Sequence, residues 1–313
     1  MSTLDLAALP LPAVVETIDF EVVLASLRAD LLRLYPAAAD VIDLESEPLI
    51  KLLQVAAYRE VLIRARINDA ARAVMLPWAV GTDLDNLAAR YDLARLSGED
   101  DERLRARVLM GYHALSAAGS PDSWRLRALS VSVDVRQVDV WSDRPGRVKV
   151  CLLARVAAPV VQASAEQQAI GRALFGEHPQ AQSHSLCWRV AAVGDAIVGQ
   201  AERALLAEDV RPLTVDVDVT AARVLPLAVS ATLVHPPGPD GSLIAAAAAQ
   251  RVRQLGQRAA FRVDVTRAAI VAALMGDGIR DAVLATPAAD VAAGQGEVPV
   301  ITSINVTTQA RHD

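Results

Sequence analysis

Lysine is almost missing from this chain: Lys51 and Lys149 are the only two among its 31 basic residues. Alongside abundant alanine, this reads as genome base composition and carries no functional message. Aromatic residues make up only 4% of the 313 positions, too few for a surface that stacks bases or sugars on rings. The formal net charge of -6 opposes a polyanionic partner, so no nucleic acid is expected. Two cysteines, Cys151 and Cys187, cannot build a disulfide framework and read as small apolar residues in a reducing compartment. The longest aliphatic run, LIAAAAA from Leu243, falls far short of the roughly 20 residues that span a bilayer, so no membrane association is expected. No positive charge precedes Arg28 and no apolar signal core stands near the start, so the expectation is a soluble protein kept in the cytoplasm.

Catalytic signatures are missing as well. There is no G-x-S-x-G elbow and no H-E-x-x-H. GDG at Gly276 and GQG at Gly294 lack the further glycine, lysine and hydroxyl residues of phosphate-binding loops and read as turns. His178, His184 and Cys187 are residue types that bind zinc, but their first spacing is loose and no fourth ligand is near, so they read as a surface loop. In GTDLDNLAARYDLAR, Asp83 and Asp85 look like a carboxylate pair. Two residues apart on a helix, however, they point about 200° away from each other and cannot converge on one ion. Both sit where the positive end of a helix dipole favours them, and Thr82 with Asp85 resembles a capping box. The run EDDE from Glu99 reads in the same way, as a charged first turn. No catalytic residue, cofactor or metal is expected.

What is present is a chain with 53% hydrophobic residues, long enough for two or three domains. Phe20, Leu24, Leu27, Leu31 and Leu34 recur at spacings of four and three, with Asp19 as a cap and Pro36 as a stop, which predicts an amphipathic helix. From Glu47 to Met75 the same spacing returns at Leu49, Leu53, Ala56, Ile63, Ile67, Ala70 and Val74. It is broken only at Glu60, which can pair with Arg64. Such a helix is about 40 Å long, well above the globular mean, so it is expected to pack against more than one neighbour and against another chain. Leu49, Leu53, Ile63, Ile67 and Val74 are the expected partner contacts. Ser120, Pro121 and Asp122 mark a further helix start.

At about residue 131 the pattern turns to sheet, with SVDVRQVDVW and RVKVCLLARV joined by SDRPG as a hairpin. A helix to Phe175, an irregular segment, a helix over 195–207 and the strand LTVDVDV follow. RVLPLAVSATLV opens a second mixed unit, which continues through HPPGPDG into a long helix from Leu243 and ends with a helix and two strands. The predicted fold class is α+β multidomain: a mainly helical region over 1–130, then two small α/β sandwich-like modules over 131–221 and 222–313. The connector Val156–Ala165 and the turn HPPGPDG are the expected flexible joints.

Several of these segments, taken in order, resemble the baseplate assembly protein J family of contractile-tailed phages and tail-like bacteriocins. The resemblance rests on ESEPLIKLLQVAAYREVLIRARINDAARAVMLPWAVGTDLDNLAARYDLAR, AGSPDSWRLRALS, DVRPLTVDVDV and the closing ATPAADV and ITSINV. Val215 stands where the family usually has aspartate after RPLT, and Phe175 to Val193 looks like an insertion. The resemblance implies a structural, non-enzymatic wedge subunit of the baseplate, forming the ring around the hub and triggering sheath contraction. As partners it implies a second copy of the chain and one smaller wedge protein in a heterotrimer, or triplex, around a helical bundle, with the sheath initiator and neighbouring wedges beyond. The implied locations are the host bacterial cytoplasm during virion assembly and then the baseplate of the particle. From other classes, the alternatives are a soluble metal-dependent hydrolase and a small ligand-binding module.

Overall fold

The computed structural model describes residues 9–311 apart from 45, 115–118, 209, 213 and 239. The start of the extended opening, and Glu45, Ala118, Asp209 and Leu213 within the stretches that carry the family resemblance, lie outside the described residues. The fold is α+β and multidomain, with helices first and two sheets after them. It separates into two compact units, Met1–Arg95 with Glu99–Val108, and Leu96–Gly98 with Leu109–Asp313.

In the first unit, α1 (Phe20–Leu34) starts where the Asp19 carboxylate accepts from the amides of Glu21 and Val22. A 3-10 turn at Pro36–Asp40 leads towards α2 (Pro48–Ala73), whose 26 residues make it about 40 Å long. The two helices run antiparallel: Val23 and Leu24, with Phe20 and Leu27, pack against Leu53, Ala57 and Val61. At the open end of this hairpin the Asn68 side chain pairs with the backbone of Glu16, its Oδ1 accepting from the amide and its Nδ2 donating to the carbonyl at 2.8 Å. α3 (Gly81–Ala89) and the first turns of α4 (Asp101–Ala114) close a smaller core of Ala79, Leu84, Leu87, Ala88, Leu104 and Val108.

In the second unit, β1 (Val135–Arg144) and β2 (Arg147–Pro159) form the predicted hairpin, with Gly146 at φ +79° supplying the left-handed turn residue. β4 (Asp216–Ala221) pairs with β2 in parallel, and α5 (Pro121–Leu129) and α8 (Ala196–Leu205) cover the face built from Val138, Val140, Val150 and Leu152. The stretch read as irregular holds α7 (Ala181–His184) and β3 (Leu186–Val190), which pairs with the far half of β2. α6 (Ala165–Phe175), opened by the capping box of Ser164 and Gln167, lies so close to β3 that a Cβ at Gly171 would stand 1.7 Å from the Trp188 carbonyl oxygen. Only glycine permits that approach.

The second sheet has the order β6-β5-β7, formed by β5 (Arg223–His235), β6 (Asp281–Thr286) and β7 (Glu297–Ala310). α9 (Gly241–Gln257) and α10 (Arg267–Leu274) pack on one face over Val229, Leu233, Val252 and Ile270. The two sheets are joined by a single residue, Ala222, whose amide donates to Leu152, while the next amide, of Arg223, donates to Gly296. The buried Asp139 of β1 reinforces this joint by accepting from Arg262 Nε at 2.8 Å and from the Gly296 amide at 3.0 Å. Arg136 donates to the carbonyls of Leu174 and Gln257 beside it. Neither expected flexible joint falls between the sheets: Val156–Pro159 is the paired end of β2, and HPPGPDG, whose Pro239 lies outside the described residues, stands between the end of β5 and the start of α9.

Candidate assembly interface

At 100° per residue, Ile50, Leu53, Ala57, Val61 and Asn68 share one buried or half-buried face of α2, and Leu53, Ala57 and Val61 on it pack against α1. Ile63, Ile67 and Val74 lie round to one side and are 62%, 54% and 60% exposed, with Ala70 exposed between them. Their spacing of four, three and four is that of a helix-packing seam. Leu49 and Leu53 belong to the same repeat but are half-buried, and Leu53 packs into the α1–α2 core. The residues singled out by periodicity thus divide into one that holds the hairpin together, one at its half-buried end, and three left uncovered within the unit.

A second exposed apolar set, Val55, Tyr58 and Leu62, lies on the other flank of the α1-facing side. Its spacing of three and four is again a seam, and it escapes a reading that follows a single stripe. Arg59 and Arg66 stand between the two sets on the outermost face. Glu60 sits at the position that interrupts the repeat and is neutralised by Arg64, whose Nη2 is 2.7 Å from its carboxylate and whose Nη1 reaches Glu16 at 3.0 Å. The interruption is a salt-bridged position beside an apolar surface, and its side chains are too exposed for the pair to contribute much stability.

The far end of α2 is held by polar contacts from α4. Arg105 donates to the carbonyls of Leu76 and Ala79 at 2.9 Å, satisfying acceptors in the turn after the helix. The aspartates of the GTDLD stretch do begin a helix, but not through a local capping box: α3 has Val80 at its N-cap with no side-chain cap bond. Asp101, twenty residues on, accepts from the Gly81 amide at 3.0 Å, and Asp85 pairs with Arg95 at 2.7 Å. Arg95 also reaches Asp101 at 2.7 Å and the Glu99 carbonyl at 3.0 Å. The EDDE run is split between tasks. Glu99 is a buried ion partner of Arg107 at 2.6 Å, Asp100 accepts from the Arg103 amide, Asp101 caps α3, and Glu102 faces solvent.

The Gly81 amide and then Arg95 hold the Asp101 carboxyl below the usual carboxylate range. A depressed folded-state value stabilises fully above the unfolded value of about 4, and that contribution is lost as pH falls through the folded value. Asp101→Asn is therefore expected to lower the thermal midpoint at neutral pH, with the difference from the parent shrinking as pH drops below about 4. A difference constant from neutral to acid pH would contradict this.

Among the described residues, no three His, Cys, Asp or Glu side chains gather as a metal-binding group. The His178 ring meets Trp188 in a tilted contact with centroids 4.3 Å apart, and the Cys187 thiol donates to the Ala158 carbonyl. Cys151 is buried and its thiol is pushed up to about 11 by desolvation, the state of an inert core cysteine. No described helix is long and apolar enough to cross a membrane.

A family model described as Baseplate J-like N-terminal domain matches residues 45–99, the stretch holding α2, α3 and the start of the arginine–carboxylate network. The chain is 33% identical to baseplate protein J of Escherichia phage P2 over 329 aligned positions, covering 98% of each protein.

Proposed function

Because the chain belongs to the baseplate protein J family, a family of structural proteins of the phage tail baseplate, we propose that it is a baseplate wedge subunit. In this reading two copies and one smaller wedge protein form a heterotrimer around a shared helical bundle. The heterotrimers make the ring around the hub, meet the sheath initiator and neighbouring wedges, and trigger contraction. Assembly takes place in the host bacterial cytoplasm. The work of the chain is contact rather than catalysis.

One observation carries the proposal: α2 keeps α1 on one face and leaves apolar seams on both flanks, Ile63, Ile67 and Val74 on one side and Val55, Tyr58 and Leu62 on the other. A helix with two uncovered seams suits a bundle in which other helices pack on either side. The single-residue joint at Ala222, with the bonds to Asp139, suits a rigid contact block at the other end of the chain.

Co-expression with the neighbouring tail genes followed by native mass spectrometry tests the proposal. The expected species holds two copies of this chain and one smaller partner. A monomer that ignores every co-expressed tail protein would refute the wedge assignment.

A further inference from the structure

The geometry points to the outer edge of β7, from Ser303 to Ala310, as the site where an extended segment of another protein adds a strand, with an acidic residue of that segment entering an arginine-lined cleft at its head. β7 pairs in parallel with β5 along its whole length, β5 gives its other side to β6, and among the described residues no strand lies outside β7. A strand edge presents a row of unsatisfied amides and carbonyls, and soluble proteins usually guard it with charge, proline or shortness. Thr302–Ala310, TSINVTTQA, has no charged residue, proline or glycine. The opposite edge is guarded: β6 has six residues, begins at Asp281 and runs into Pro287.

The first part of β7 is covered, since Val298 and Val300 are buried with Leu153 and Leu174. At Thr302 one extra residue enters the pairing, Leu227 lying opposite Ile301 and Ala228 opposite Ser303. Beyond this bulge Ile304 and Val306 lean on the core beneath α9, while Ser303, Asn305, Thr307 and Gln309 face solvent. Where cover ends and the open edge begins there is a cleft of about 290 Å³ between α6, α9 and β7. Arg172 and Arg253 line it with Ala173, Gln257, Ser303 and Ile304, and no acidic residue does. Arg253 donates to the neutral amide of Gln250, and Arg172 lies 4.0 Å from Glu177.

This charge selects the occupant. Antiparallel pairing of β7 with a second copy of itself over 303–310 would set each Arg311 opposite Thr302, beside the arginines of the cleft, and like charges there oppose it. A strand carrying a carboxylate at that point gains a guanidinium partner and the backbone ladder together.

The probe is a fluorescein-labelled peptide of alternating threonine and valine, as long as the open edge, ending in two glutamates at either end. It is compared with the same peptides ending in lysines and with a backbone N-methylated version. The full chain is expected to bind the glutamate peptide about tenfold tighter than the lysine peptide at low salt, and not to bind the methylated one. Binding is also expected to slow amide exchange across Ser303–Ala310 about 100-fold or more. Arg172→Ala with Arg253→Ala removes the preference for glutamate without changing the melting temperature. Equal affinity for both charges, unprotected β7 amides, or a chain that dimerises through β7 by sedimentation would each overturn the assignment.

Discussion

Glu99→Ala is expected to destabilise the first unit by about 3–5 kcal/mol, the cost of removing one partner from a buried ion pair. The Glu99 side chain is 0% exposed and Arg107 only 3%, with 2.6 Å between them. Alanine takes that carboxylate away from the buried Arg107 guanidinium, whose Nη1 also donates to the neutral Ala94 carbonyl at 3.2 Å. Arg103, 3.3 Å from the other carboxylate oxygen, loses that contact in the same substitution. For a unit of this size the loss corresponds to a fall in melting temperature of more than about 10 °C. Glu102→Ala is the control: its side chain is 94% exposed, so a change within about 0.5 kcal/mol is expected. Replacing both Glu99 and Arg107 by leucine should recover part of the loss, because a well-packed apolar pair needs no desolvation of charge. Equal melting temperatures for Glu99→Ala and Glu102→Ala would show that the pair does not hold the unit.

Nothing in the letters EDDE distinguishes Glu99 from Glu102. Local rules read all four acids as a charged first turn, where the dipole favours them; Asp101 and Glu102 stand there, while Glu99 and Asp100 precede the helix. The division of labour among them is set by arginines at positions 95, 103 and 107, whose direction depends on how α3 and α4 meet. The capping of α3 failed as a local reading for the same reason: Thr82 and Asp85 have the spacing of a box, but Asp101 reaches the Gly81 amide from outside the segment and Arg95 takes Asp85. The segment 175–193 was illegible as a strand because LCWRV is too short for an alternation to register, and because Gly171, which lets α6 lie on it, has its meaning only in the packed state. Long amphipathic periods are legible because they repeat. α2 was predicted over Glu47–Met75 and lies at Pro48–Ala73, and its repeat marks Ile63, Ile67 and Val74, which the unit leaves open. The seam at Val55, Tyr58 and Leu62 was missed because Lys51 and Asp69 stand on the same arc at either end of it, so it is short and adds little to a pattern dominated by the other stripe.

Ile63→Asp combined with Ile67→Asp is expected to abolish co-purification with the proposed wedge partners while leaving the isolated chain folded. Both side chains are more than half exposed in the first unit, so aspartates there stay hydrated, and the remaining cost is a helix-propensity term of a few tenths of a kcal/mol each. In a shared bundle the same carboxylates would be buried without partners, at a cost of several kcal/mol, which exceeds what a seam of this length can return. The choice of residues decides what the experiment reads. Leu53→Asp lies in the same repeat, but Leu53 packs against the α1 core residues Val23 and Leu24, so its loss would mix unfolding of the hairpin with loss of assembly. Far-ultraviolet circular dichroism and a thermal melt establish that the double variant is folded, and affinity capture from cells co-expressing the tail proteins reads assembly. Tyr58→Asp with Leu62→Asp probes the other flank independently. If a bundle uses both seams, each pair alone is sufficient to block it. Normal capture of partners by both folded double variants would mean that α2 is not the bundle helix.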